Sequence, residues 1–384
     1  MGAGFYLDGR EVLWTGGAFS PAEAVVLGRA LGRMRPGGAV GIGSSGAPAF
    51  QALAAAAGAG AAEAGAAVWD VGDCFESLFF YCAGRLAADF GLYAGGAGVR
   101  VCSRGGLPLS LEEERRLSEL LESPSIPAAY SEYGSVLPMG GIRELYPVAL
   151  VKSAVCTLTG MKVSVKCADR SAGRLAEEAL FRLGCRFSEG GLTLQLSGDG
   201  RDVSLYDKVS DYIFTDRILL LVCRDLFRRG QDVAVPASAP RVLDRMAEEW
   251  ERRALRYEDG FESGSDRRAR SLGVRQPFLR DGLMLGIRLL SILRESRCSL
   301  EELEGLLPEY AVVSRTVAAP RELLSGKRGL CLAAAGGEIR IAPTRGGRAL
   351  FLAVEGRTAE AAGELCRFAE EELLNRRLPG TGKM

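Results

Sequence analysis

The 384-residue chain is predicted to be an α/β protein: three βα units with mixed sheets, followed by a C-terminal α+β unit. Three observations carry this reading. Apolar runs of strand length alternate with longer stretches of helical period, the pattern of mostly parallel sheets covered on both faces. Hydrophobic residues make up 47% of the chain and charged residues 25%, enough apolar material for real cores. Glycine is abundant, with 50 residues, yet it falls at turns and helix ends rather than in a repeat.

The elements follow in order. In residues 1–146, Ser20 and Pro21 supply a cap and a first-turn proline for a helix over Ala22–Arg33. Gly38–Gly43 reads as a short buried strand and turn, and alanine-rich Phe50–Ala66 as a helix. A strand over Ala67–Val71, a helix over Phe75–Phe90 and a glycine-broken pair of strands over Gly91–Val101 come next. Leu111–Leu121 is an amphipathic, charge-studded helix. Residues 147–206 repeat the pattern on a smaller scale: strand Lys162–Cys167, helix Gly173–Leu183, strand Leu192–Leu196. Residues 207–309 hold helix Asp216–Arg229, strand Asp232–Pro236, helix Ala239–Ala254 and the apolar helix Asp281–Glu295. Residues 310–384 give strands Gly337–Ile341 and Leu350–Val354, then helix Ala359–Leu374, with Pro379–Met384 expected as a disordered tail. Four domains are expected at these boundaries.

Composition excludes several functions. Lys+Arg and Asp+Glu balance at 48 each, so no net field recruits nucleic acid or an anionic membrane. No apolar run reaches the length of about 18 residues that spans a bilayer. Asp8, Arg10 and Glu11 interrupt any signal-peptide core, and a soluble cytoplasmic chain is expected. The chain has no histidine, which removes Ser-His-Asp chemistry outright. None of its ten cysteines form a C-x-x-C pair, so buried free thiols are expected rather than zinc.

An ordered set of segments resembles the α-D-phosphohexomutase (phosphoglucomutase/phosphomannomutase) family. Phe19–Glu23 with Leu27–Gly32 is similar to that family's first helix. Ala64–Gly65 followed by Val68–Gly72 is similar to its second strand, and Gly105–Ser110 with Glu112–Glu114 to the segment after its catalytic loop. Asp281–Leu283 through Leu293, then Leu306–Tyr310, resemble its "DGi" helix and "lPey" motif. The resemblance covers nearly the whole chain and implies a phosphohexomutase-like fold and an intramolecular phosphotransferase ancestry.

At the family's functional loops the resemblance implies loss. The phosphoserine lies in a T-A-S-H-N-P loop; here Gly95–Gly98 stands in its place, and the serine position becomes Ala97. Ser103 is the fallback nucleophile. The family's magnesium loop, D-G-D-x-D-R, becomes Ser197–Gly198–Asp199–Gly200–Arg201–Asp202, which keeps only Asp199 in register. Magnesium favours several oxygen ligands in octahedral array, so no metal is expected, and an Arg201–carboxylate contact is expected instead. The sugar loop, G-E-x-S-G-H, leaves only Glu262–Ser263–Gly264, which reads either as a remnant of the sugar site or as a coincidental tripeptide. The phosphate loop, R-P-S-G-T-E-P, aligns with Ala342–Arg348; Thr344, Arg345, Gly346 and Arg348 are its candidate phosphate ligands, against a plain basic turn in solvent. Gly41–Ser45 lacks both arginines and the aspartate of the family's G-R-D-T-R, and Lys166–Asp169 departs from its strand-end aspartate pattern.

Three functions are weighed. The first is a catalytically inactive homologue binding a phosphosugar or a protein partner. The second is an active mutase with a rebuilt site, using Ser103 with Asp199, Asp202 or Glu76 for acid–base work. The third is a structural subunit docking on an intact paralogue. The first is favoured, because phosphoryl transfer depends on the positioned groups that are missing.

Overall fold

The computed structural model describes residues 5–8, 11–14, 19–96, 98–123, 129–207, 212–318, 330–334, 337–343 and 349–374. The first part of the chain supplies strands β1 (Phe5–Asp8) and β2 (Glu11–Trp14), helix α1 (Pro21–Met34), β3 (Ala39–Ser44), α2 (Pro48–Glu63), β4 (Ala67–Asp73), α3 (Glu76–Leu86), β5 (Phe90–Gly95), β6 (Gly98–Ser103), α4 (Leu111–Glu122) and β7 (Val136–Pro138). These strands form one sheet in the order β1-β2-β6-β5-β3-β4-β7. Strands β5, β3, β4 and β7 are parallel, and β6, β2 and β1 extend the sheet antiparallel.

Alternation along the strands divides the two faces. Leu92 and Ala94 of β5, with Val99 and Val101 of β6, point to a core built with α1 and α2. Tyr93 and Cys102 point the other way, toward α3. Helices α1 and α2 cross at glycines: a Cβ on Gly28 would lie 1.9 Å from the Ala57 carbonyl oxygen, and one on Gly60 2.1 Å from that of Val25. The expected start of α1 holds in detail, since Ser20 and Glu23 form a reciprocal capping box with Pro21 in the first turn.

The middle of the chain supplies α5 (Leu145–Ser153), β8 (Lys162–Cys167), α6 (Arg170–Arg182), β9 (Arg186–Phe187), β10 (Leu192–Leu196), β11 (Val203–Tyr206), α7 (Thr215–Arg228), β12 (Val233–Pro236), α8 (Val242–Glu248), β13 (Ala254–Tyr257), α9 (Asp266–Gly273), α10 (Gly282–Ser296) and α11 (Leu300–Glu304). Its sheets are β11-β10-β8-β9 and the parallel pair β12-β13. One apolar cluster joins α3, α5, α6, α7, α8, α10 and α11, running from Val71 to Leu307. The last part supplies β14 (Ala311–Ala318), β15 (Leu330–Ala334), β16 (Gly337–Pro343), β17 (Ala349–Gly356) and α12 (Ala359–Leu374). Its sheet, β14-β17-β16-β15, is wholly antiparallel and closes its own core against α12. The α/β class with mixed sheets and a C-terminal α+β unit is the observed architecture.

Several element boundaries differ from expectation. The helix expected over Phe75–Phe90 stops at Leu86, because Ala87 turns left-handed at φ 57° and releases Phe90 into β5. The helix expected over Ala239–Ala254 covers only Val242–Glu248; Glu251, at φ 53°, turns the chain into β13, which pairs with β12. Helices α5 and α9 were not expected. The tail expected to be disordered lies outside the described residues.

Nine described cysteines are free thiols. Among the described residues no helix is long and apolar enough to cross a membrane.

Candidate functional site

The site begins at the β5–β6 hairpin. Antiparallel register sets Gly95 opposite Gly98, so the strands are joined through only two residues. Ala97, the serine position by resemblance, lies outside the described residues. Two residues beyond Gly98 along β6, Arg100 is 6% exposed, a cation buried in the sheet. Its guanidinium meets the carboxylate of Glu76 at 3.1 Å, and Glu76 is 1% exposed at the first position of α3. A carboxylate there also faces the positive end of the helix.

The Ser197–Asp202 loop closes the other side of Glu76. It follows β10 and is held by main-chain bonds: the Ser77 N–H donates to the Asp199 carbonyl at 3.0 Å, and the Gly282 N–H to that of Gly200 at 3.0 Å. Arg201 thereby reaches Glu76 at 3.4 Å. Glu76 is thus clamped between two guanidiniums, one from β6 and one from the loop between β10 and β11. Compared with D-G-D-x-D-R, the last two charges of the loop are exchanged, with Arg201 turned inward and Asp202 exposed.

These residues do not fit a magnesium ion. Asp199 Oδ1 already accepts the Ser197 hydroxyl at 2.5 Å and the Arg201 N–H at 3.1 Å. Ser197 stands where the first carboxylate belonged, and its hydroxyl also accepts the Asp202 N–H. Among the described residues no group of three Cys, Asp or Glu side chains is placed to hold a metal. A cation at the third ligand position repels an ion that needs anionic oxygens there.

The remaining candidates among the described residues do not converge on this cluster. Ser103 lies at the far end of β6 from the hairpin, five residues or about 17 Å along the strand, and its hydroxyl donates to Glu113 Oε1 at 2.7 Å. Glu113 belongs to the capping box of α4, which gives this serine a structural partner. Glu262 is exposed in the turn between β13 and α9, and the Ser263 hydroxyl donates to the Arg256 carbonyl. In the arginine-rich stretch that follows, Arg270 donates to the Pro108 and Glu258 carbonyls and pairs with Asp266. Thr344, Arg345, Gly346 and Arg348 lie outside the described residues. Glu355, at the end of β17, accepts the Arg241 and Val242 N–H groups at the start of α8 and so ties the C-terminal sheet to the middle of the chain.

Sequence reasoning named Glu76 only as a possible acid or base and missed Arg100. The signal was present: a lone arginine inside the apolar run Val99–Arg100–Val101, and a lone acid opening the apolar helix Phe75–Phe80. Two isolated opposite charges in buried elements require each other.

A second buried carboxyl adjoins the cluster. Asp281 caps α10 through Met284 and accepts the Tyr146 hydroxyl at 2.7 Å. Burial raises it to about 6, against the pull of these hydrogen bonds and of Arg280.

The comparisons with known proteins agree with this architecture. No family model matches the chain. A Methanopyrus kandleri protein named "Probable phosphoglucosamine mutase" is 23% identical over 358 residues, 79% of each chain. The phosphoglucosamine mutase of Symbiobacterium thermophilum is 32% identical over 200 residues, 48% of this chain and 44% of its own length. A solved structure of a phosphoglucomutase/phosphomannomutase family protein from Burkholderia thailandensis superposes with TM-score 0.70 at 18% identity, covering 97% of this chain and 96% of that one. Fold, order of motifs and sequence relatives coincide: the chain is similar over most of its length to the α-D-phosphohexomutase family.

Proposed function

We propose that this chain is a catalytically inactive phosphohexomutase homologue, kept in the cytoplasm to bind a phosphosugar or a protein partner. The observation that carries the reading is the Arg100–Glu76–Arg201 cluster, in which the loop position of a metal-ligating aspartate supplies a cation to a buried carboxylate. Loss of nucleophile and metal together removes the positioning and charge neutralisation on which phosphoryl transfer rests. Each tenfold loss in rate corresponds to about 1.4 kcal/mol of barrier. Removing both elements is expected to leave no turnover above background.

The relatives named phosphoglucosamine mutases make hexosamine and hexose phosphates the ligand class to try first. The loop carrying Thr344, Arg345, Gly346 and Arg348 is the candidate anchor, since a hydroxyl, glycine amides and two guanidiniums suit a phosphate.

The test is incubation with glucose 1,6-bisphosphate and magnesium, read by intact mass and by a coupled mutase assay. The expected result is an unmodified protein and no turnover. One added phosphoryl group, or magnesium-dependent turnover, would overturn the reading. A parallel thermal-shift panel of hexose and glucosamine phosphates separates the binding roles. At about 100 times its dissociation constant a ligand adds about 2.7 kcal/mol of stability, and the Arg345→Ala/Arg348→Ala double variant should lose that shift.

A further inference from the structure

A cleft of about 650 Å³ opens between α3, α5 and the start of α10, and its floor reaches the Arg104–Gly106 turn. None of the residues assigned to the family's serine, metal, sugar or phosphate loops lines it. Three helix faces converge there: Ser77, Tyr81 and Arg85 at four-residue spacing on α3, Val148 and Lys152 on α5, and Met284 and Arg288 on α10. The volume lies within the range of about 300–1,000 Å³ typical of small-molecule sites.

Two features show what such a site would accept. Its twenty lining residues include five cations and one carboxylate, in a chain whose charges otherwise balance. Two of the cations have structural work: Arg280 donates to the Gly273 and Gly105 carbonyls, and Arg288 lies over the Phe278 ring and donates to Ser153. Arg85, Lys152 and Arg275 are exposed at the mouth, and their side chains make no ion pair or hydrogen bond among the described residues. The single carboxylate, Asp281, is buried and already engaged by Tyr146 and Met284. Three cations at one rim therefore have no ion-pair partner among the described residues.

The second feature is the wall. Leu145, Val148 and Val274 line the cleft while 43–45% exposed, apolar surface that water still meets. Deeper in, the Ser77 hydroxyl is buried and has no hydrogen-bond partner. A buried unsatisfied hydroxyl costs free energy that a ligand oxygen can recover.

We propose that this cleft is a binding site, separate from the family's phosphosugar centre, for a small amphipathic organic anion. The ligand carries an apolar ring or short chain against Leu145, Val148 and Phe278, an oxygen at Ser77, and a carboxylate, sulfonate or phosphate facing Arg85, Lys152 and Arg275. The site goes beyond the reading of the family loops and does not depend on it.

The probe is 8-anilinonaphthalene-1-sulfonate, which joins an apolar ring system to a fixed anion, titrated against the intact protein by fluorescence. One saturable site is expected, with affinity falling at least about tenfold in Arg85→Gln/Lys152→Gln/Arg275→Gln, since each exposed cation adds a modest share of the attraction and the variant removes all three. Ser77→Ala should leave the melting temperature unchanged, because no hydrogen bond is lost, while weakening the probe about threefold or more. N-phenyl-1-naphthylamine, which lacks the sulfonate, should bind at least about tenfold more weakly. Glucose 1,6-bisphosphate should not displace the probe. Unchanged affinity in the triple-glutamine variant, equal binding of the uncharged analogue, or displacement by the bisphosphate would each overturn the assignment.

Discussion

Replacing Glu76 by glutamine keeps the side chain's shape and removes its charge. The carboxylate is 3.1 Å from Arg100 and 3.4 Å from Arg201, and the Arg100 and Glu76 side chains are 7% and 1% exposed. At an effective dielectric of about 20, each contact has a gross attraction of about 5 kcal/mol. Desolvation offsets most of that while the cluster is intact, but removing one partner exposes the full penalty, about 3–5 kcal/mol for a buried pair. Arg201 is 35% exposed at its side chain, so its own share is at most about 1 kcal/mol. The expected result is a loss of about 3 kcal/mol in Glu76→Gln and at most about 1 kcal/mol in Arg201→Gln. Adding Arg201→Gln to Glu76→Gln should then cost nothing further, because the two residues share one interaction. Urea unfolding followed by tryptophan fluorescence measures all three variants. A loss below about 1 kcal/mol in Glu76→Gln, or simple additivity of the pair, would refute the account of a buried clamp.

Three further outcomes are expected. Asp281 titrates near 6 in the folded protein, above its ordinary value of 3.8, so the native state holds this proton more tightly than the unfolded chain does. Its contribution is full below about pH 4 and disappears as the pH rises through 6; parent stability should fall by up to about 3 kcal/mol over that window relative to Asp281→Asn, as pH-dependent urea midpoints would show. At the α1–α2 crossing, Gly28→Ala places a methyl against the Ala57 carbonyl and should cost about 1–3 kcal/mol or more. Gly363→Ala in α12 meets nothing within 4 Å and should stabilise by up to about 1 kcal/mol, both read from melting curves.

Much of the framework was legible because its signals are local. Ser20–Pro21 and Asp281 announce the helices that follow them, and the caps observed use those side chains. The boundaries that were missed were set by backbone turns without a local cue. Neither Ala87 nor Glu251 is a residue type that advertises a left-handed conformation, yet both adopt one and end a helical run. Strand β13 was lost for that reason: Glu- and Arg-rich Ala247–Arg253 favours helix locally, and only pairing with β12 makes Ala254–Tyr257 a strand. The site was legible by subtraction. Resemblance showed which family groups were replaced, but not that Arg100 and Arg201 would meet one carboxylate. Those partners are 24 and 125 positions from Glu76, a separation that periodicity and spacing do not bridge.

The shared core of the first and middle parts has a consequence for synthesis. Phe75 and Tyr81 pack edge-on against Tyr146, whose hydroxyl donates to Asp281, 135 residues later. On a ribosome adding about 5–20 residues per second, that carboxyl follows Tyr146 by roughly 7–27 seconds. Until α10 emerges, the face of α3 that carries Ser77 and Tyr81 waits without its full cover while the opposite face of the same sheet can already close on α1 and α2. The nascent chain therefore spends that interval half-folded, and chaperones would meet it on the α3 side.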